Sequence, residues 1–244
     1  MLFYLTFLCA VALAIVHLYS GKLRFLKSIP RSHWLSLASG ASVAYVFVHI
    51  FPELRKAQTT VEQVEIEILK FLEHHVYLMG LLGFTVFYGL ERLAKTSRQL
   101  NREAGEGDAT TASVFWLHII SFALYNIVVG YLLIHREETT IISLLFFFIA
   151  MALHFMVNDY GLQEHHKASY KNIGRWILAA AIIIGWAIGT ATEISEQAIA
   201  LLFAFLAGGV ILNVLKEELP QEHQSRFWAF AVGAAVYAAF LLTL

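Results

Sequence analysis

Eight stretches of about 20 residues, each apolar and nearly free of charge, govern what this chain can fold into, because that is the length a helix needs to cross the hydrocarbon core of a bilayer. They cover about 2–19, 34–52, 75–93, 113–134, 141–160, 175–192, 198–216 and 227–244. Backbone in lipid must satisfy its own hydrogen bonds, and a helix does so within one segment. The chain is therefore expected to be all-α, a polytopic membrane helix bundle with eight transmembrane helices, residues 1–244 forming a single transmembrane domain. Gly80, Gly83 and Gly89 dilute the third stretch, and Gly185 and Gly189 the sixth. Small residues at such spacing let helix backbones approach closely, so both read as tightly packed spans. The charged fraction agrees: 14% of the 244 residues are charged and 59% hydrophobic, where a soluble domain carries roughly 25% charged residues.

Orientation follows from where the basic residues fall. No Lys or Arg precedes the first apolar run, and Lys22, Arg24, Lys27 and Arg31 follow it, which favours a retained first span with its N-terminus outside. The cytoplasmic loops then hold those four residues together with Arg92, Lys95, Arg98 and Arg102, with Lys167, Lys171 and Arg175, and with Lys216 and Arg226. Outside remain Arg55, Lys56, Lys70 and Arg136. Basic and non-basic loops alternate throughout, so the spans are even in number and both termini are extracytoplasmic. A net charge of −1 gives no reason to invoke nucleic acid. The expected partner is the lipid bilayer, and a homodimer is compatible with the sequence.

Two connecting segments have their own character. Lys95–Ser113 is polar, contains glycine and lacks apolar periodicity, and reads as a mobile cytoplasmic loop. Val61–His75 places Val61, Val64, Ile68, Phe71 and Leu72 at helical spacing, the pattern of an amphipathic helix.

An internal repeat is visible when Gly40 is aligned with Gly208. Residues 39–53 then lie over 207–221, Pro52 over Pro220 and His49 over Glu217. The segments are the second and seventh spans, so they must run in opposite directions, and inverted repeats with substrate sites at their interface recur among secondary transporters. The expected repeat relates spans 1–3 to spans 6–8.

Polar groups inside the apolar runs carry the chemistry, since a polar or ionisable side chain at that depth is costly and usually functional. In the fourth span His118, Tyr125, Asn126 and Val129 share one face, as do His154 and Asn158 in the fifth, with Asp159 beside them. Cys9 is the lone cysteine, so a metal site here must use histidine, carboxylate and amide donors. Imidazole, carboxylate and amide oxygen together suit a borderline divalent cation such as zinc.

At these residues the chain resembles the ZIP family of divalent metal transporters. His49, Pro52 and Glu53 match the family's second-span His-x-x-Pro-Glu, and Asn126 and Gly130 match its fourth-span His-Asn-x-x-x-Gly. Tyr125 stands at the His position of that motif and Val129 at an Asp. In the fifth span His154 matches and Asp159 keeps a carboxylate, while Phe155, Val157 and Asn158 replace Glu, Pro and His. Glu218-Leu-Pro220 resembles the end of the family's seventh span. The resemblance implies a transporter rather than an enzyme, carrying Zn2+ or another divalent cation as its substrate. It places Asn126, His154, Asn158 and Asp159 at or near the metal, and His49 and Glu53 on the path from outside. No ATP-binding motif is present, so a gradient would drive transport. Because ligand positions have become Val129 and Phe155, a ZIP-fold protein that has lost transport is the main alternative. An intramembrane zinc hydrolase is the second, with His49, His118, His154 and Asp159 as its donors. On this reading His17 and His33 merely flank basic loops, and the pair His165–His166 sits on a solvated helix end.

Overall fold

The computed structural model describes residues 2–19, 33–62, 75–136, 140–218 and 226–242, and is helical with no strand among them. In chain order the helices are α1 (Leu2–Tyr19), α2 (His33–Tyr45), α3 (Phe51–Glu62), α4 (His75–Glu103), α5 (Ala112–Leu132), α6 (Ile141–Ser169), α7 (Arg175–Ala191), α8 (Glu196–Asn213) and α9 (Phe227–Leu241). Three π-helical turns continue them: Val46–Ile50 between α2 and α3, Tyr170–Gly174 between α6 and α7, and Val214–Glu218 after α8. Every apolar stretch read from the sequence is thus helical over its described part.

Five helical runs among the described residues are long and apolar enough to cross a membrane. They are α1, α4, α5, the run Ile141–Ala191 that contains both α6 and α7, and Glu196–Lys216; α9 is apolar but shorter. The second stretch is interrupted by its π turn, so its helical pieces are individually short. Many large apolar side chains point outward, Tyr4, Leu8, Leu124, Trp228 and Phe240 among them, as expected where lipid rather than water is the solvent.

The single domain expected from the sequence divides into two compact units. The first holds 1–24 and 89–193, the second 25–88 and 194–244. Each takes elements from both halves of the chain, so neither follows the grouping of spans 1–3 and 6–8.

In the first unit, α5 and α7 cross at glycines. A Cβ on Gly130 would collide with the backbone of Ile182 and Trp186, and one on Gly185 with the backbone of Ile127. Gly189 lies over Tyr131 in the same register, so these two helices run in the same direction. α1 runs against α7: Trp186 Nε1 donates to Thr6 Oγ1 at one end (3.1 Å) and an Arg175 amino group to the Leu18 carbonyl at the other (3.2 Å). α6 packs on α1, and Thr140 caps its start by accepting from the Ser143 amide at 3.1 Å. Near its end Lys167 has a positive φ of 46°, a left-handed conformation costly for a side chain with a Cβ.

The second unit repeats the glycine crossing twice, Gly40 with Gly233 between α2 and α9, and Gly83 with Gly208 between α4 and α8. The segment α2–α3 runs antiparallel to α8: α3 packs on α8, and α2 on the π turn that follows it. The aligned glycines of the internal repeat thus lie on oppositely directed helices. Each is followed at the same interval by a π turn, Val46–Ile50 after Gly40 and Val214–Glu218 after Gly208. Pro220 and most of the expected amphipathic helix Val61–His75 lie outside the described residues.

The expected loop Lys95–Ser113 is helix as far as Glu103, because α4 continues ten residues beyond the expected span end at 93. The rest is tied down by side chains. Arg98 pairs with Asp108 at 2.5 Å and with Glu164 at 2.7 Å, Arg102 also pairs with Asp108, and Asn101 Nδ2 donates to the Ala109 carbonyl at 2.7 Å. Hydrogen bonds from Arg98 and then Arg102 hold the Asp108 carboxyl well below the usual carboxylate range. A depressed folded-state value means that this contribution is complete above the ordinary carboxylate range and is lost only as pH falls through the depressed one. The protection factors of amides 104–111, with the intrinsic pH dependence of exchange divided out, are therefore expected to be about the same at pH 5 as at pH 7, and to fall at both in Asp108→Asn.

Candidate functional site

The buried face of α1 is set by residues three and four apart: Thr6, Cys9, Ala10, Leu13 and His17. His17 ends this stripe and is 1% exposed, against Asp159 of α6 at 0% and Asn126 of α5 at 1%. The three are joined directly. His17 Nδ1 lies 2.9 and 3.0 Å from the two Asp159 oxygens, and Nε2 lies 3.1 Å from Asn126 Oδ1.

The protons of this triad can be counted. Asn126 Nδ2 donates to the Phe122 carbonyl at 2.8 Å, so Asn126 Oδ1 is the atom facing His17 and Nε2 must carry a hydrogen to donate to it. One further proton then lies between Nδ1 and the carboxylate. The couple is either imidazolium with carboxylate or imidazole with carboxylic acid, and in both forms it is neutral overall. That neutrality is what makes an aspartate at zero exposure tolerable.

Beside the triad, one residue earlier on α5 and again on α6, lies a second cluster. Asn158 Nδ2 donates to His154 Nε2 at 2.8 Å, and the Tyr125 hydroxyl reaches the same nitrogen at 3.0 Å. An amide nitrogen only donates, so Nε2 is the lone-pair nitrogen and the tyrosine donates to it as well. His154 thus presents the unprotonated nitrogen that metal coordination needs.

The residues singled out from the sequence are brought together in part. Asn126 meets Asp159 through His17, and His154 meets Asn158 and Tyr125. Asn126 and His154, both expected at or near one metal, take different partners, Asn126 the His17 ring and His154 the Tyr125 hydroxyl and Asn158 amide, because the first helix inserts a histidine between α5 and α6. Of the positions where the resemblance would expect a donor, Val129 is fully buried, and Phe155 lies with its ring 4.5 Å from that of His17. His49 and Glu53 belong to the second unit. There His49 stacks on Tyr45 at 5.0 Å and Glu53 pairs with Lys56 at 2.7 Å. Among the described residues no three His, Cys, Asp or Glu side chains form a ready-made metal cluster.

His17 is what sequence reasoning missed. The signal was present: it is the one ionisable residue in the first apolar run, four residues after Leu13 on the stripe that α1 buries. Reading it with the basic loop that follows hid that phase. The pair His165–His166 is also more than a solvated end, since His166 is 1% exposed and its Nε2 lies 3.0 Å from Nδ1 of the equally buried His118.

No family model, curated protein or solved structure matches this chain.

Proposed function

We propose that this chain is a ZIP-like, eight-span membrane carrier of a divalent cation, zinc or a similar ion. Both termini lie on the outer face, and an inverted repeat relates spans 1–3 to spans 6–8. Its cargo is bound among Asn126, His154, Asn158 and Asp159, with His17 as an additional donor and His49 and Glu53 on the approach from outside. The observation that carries this reading is the concentration of two imidazoles, a carboxylate and two amides, hydrogen-bonded in two neighbouring sets, on three otherwise apolar helices. The matching π turns after Gly40 and Gly208, on antiparallel segments, support the inverted repeat.

A second reading, a ZIP-fold protein that no longer transports, is favoured by one specific observation. His17, Asn126, His154 and Asp159 each already have a protein partner, and a metal must displace those bonds. Calorimetry with Zn2+ at neutral pH separates the two readings. The carrier is expected to bind with roughly micromolar or weaker affinity, few charged ligands being present, and His154→Ala and Asp159→Asn should each abolish binding. Wild-type protein that takes up no heat, or binding indifferent to both substitutions, assigns the chain to the second reading.

A further inference from the structure

Where the end of α1 meets the start of α7, the first unit carries positive charge that its own side chains do not balance. Arg175, the first residue of α7, donates from one amino group to the Leu18 carbonyl at 3.2 Å, one of the last carbonyls of α1 and so without a partner in its own helix. The guanidinium also lies over the Trp176 ring, its Cζ 5.5 Å from the centroid. Both contacts hold the group in place, and neither brings a full negative charge. Arg175 is half-buried, and its Nε, shielded from water, makes no hydrogen bond among the described residues. An arginine does not shed its proton to escape that cost, so the counter-charge has to come from elsewhere.

Neither stretch of chain that meets here supplies it. No acidic residue occurs from Met1 to Pro52 or from His165 to Thr192. The carboxylates before the second stretch already have cations of their own: Glu164 pairs with Arg98 and Lys167, Asp108 with Arg98 and Arg102, and Glu91 with Lys95 and His165. Lys171 adds to the excess. It is exposed in the π turn four residues before Arg175, with no ion-pair partner among the described residues, and residues four apart are neighbours on a helix surface. The surroundings have the character of a membrane boundary. Tyr19, the last residue of α1, and Trp176 are both exposed, and amphipathic aromatics at span ends lie at headgroup level. Deeper along the same two helices Ile15, four residues before Tyr19, and Ile184, eight after Trp176, are exposed apolar side chains.

We propose that Lys171 and Arg175 bind the phosphate of one anionic phospholipid. The second amino group of Arg175 and the Lys171 ammonium donate to the phosphate oxygens, and hydrogen bonds between ionised groups are roughly twice as strong as neutral ones. Leu18 and Trp176 hold the guanidinium ready, so little of its freedom is lost on binding. The acyl chains lie on the apolar side of the same boundary, the side of Ile15 and Ile184. Two cations exceed the single charge of a phosphodiester, so a headgroup without an ammonium of its own is favoured over a zwitterionic one. On the orientation proposed above, this end of the unit faces the cytoplasmic leaflet, whose surface is negative. Because Arg175 already ties α7 to α1, the lipid braces the contact between those helices.

The test uses no divalent cation, so it stands or falls apart from the cargo reading. Full-length protein in detergent is titrated with phosphatidylglycerol or with phosphatidylcholine of the same acyl chains, and the lipids retained on each molecule are counted by native mass spectrometry. One phosphatidylglycerol is expected to bind about tenfold more tightly than phosphatidylcholine. Lys171→Gln and Arg175→Gln should each remove most of that preference. Lys171 is exposed and supports no other side chain, so its variant decides the matter should Arg175→Gln not fold. Arg92→Gln, which removes an exposed cation from α4, should leave the preference intact. Equal binding of the two lipids, a preference that survives Lys171→Gln, or one lost as fully in Arg92→Gln overturns the site. Displacement of phosphatidylglycerol by millimolar inorganic phosphate also overturns it, in favour of a site for the free anion. Zn2+ binding without the lipid preference removes the lipid site and keeps the carrier; the preference in protein that binds no Zn2+ does the reverse.

Discussion

His17→Ala is expected to destabilise the folded protein by about 3–5 kcal/mol, the usual cost of stripping one partner from a buried charge pair. Asp159 has no exposure and both its oxygens face His17, so without the ring it must take up a proton or remain an uncompensated charge. Asn126 Oδ1 loses a donor in the same step. The converse change, Asp159→Asn, leaves an oxygen that can still accept from Nδ1 and should cost roughly 1–2 kcal/mol. Replacing both His17 and Asp159 with leucine removes the buried polarity, and is expected to lie closer to wild type than His17→Ala alone. Reversible unfolding in detergent micelles of His17→Leu, Asp159→Leu and the double closes the cycle. If the loss in the double equals the sum of the losses in the two single leucine variants, the two side chains are not energetically coupled and the triad is incidental.

Gly185→Ala and Gly208→Ala should each cost about 3 kcal/mol or abolish folding, the upper end of what overpacking does. A methyl on Gly185 meets the Ile127 carbonyl, and one on Gly208 meets the Gly80 carbonyl and the Phe84 amide. Both obstacles are backbone, so nothing can rotate away and the helices must part. Gly89 and Gly161 are the controls. They too lie in helices, but a methyl there meets nothing within 4 Å, and alanine should stabilise by up to about 1 kcal/mol through helix propensity. Folded yield and unfolding midpoint of the four variants should split two against two; uniform behaviour would show that the crossings are looser than the backbone contacts indicate.

The helices were legible because the property that specifies them is local. A run of apolar residues is helical in lipid whatever it touches, and of the glycines that dilute the third and sixth stretches all but Gly89 lie where helices meet. The grouping of those helices was not legible. Spans close in sequence need not share a unit, and the pairing of α2 with α9 or α5 with α7 depends on the fit of one glycine to another far along the chain. The site was half legible for a related reason. Asn126, His154, Asn158 and Asp159 stand out as polar residues on apolar faces of neighbouring helices, whereas His17 gains meaning only once α1 is known to pack against α6. The polar composition of Lys95–Ser113 misled in the opposite direction. Its charges solvate one side of a continuing helix and then pair with each other, as Arg98, Arg102 and Asp108 do.

The π turns have one more consequence. Such a turn accommodates an extra residue within a helix, and one added residue turns everything beyond it by about 100° around the axis. A helical wheel drawn straight through Val46–Ile50 therefore superposes two faces that are out of phase. The early face, on His33–Tyr45, is seated against α9, and the later one, on Phe51–Glu62, against α8. A single span can thus serve two neighbours without being hydrophobic all round, by changing phase part-way along. His49, within that wide turn, stands where the helix changes the neighbour it serves.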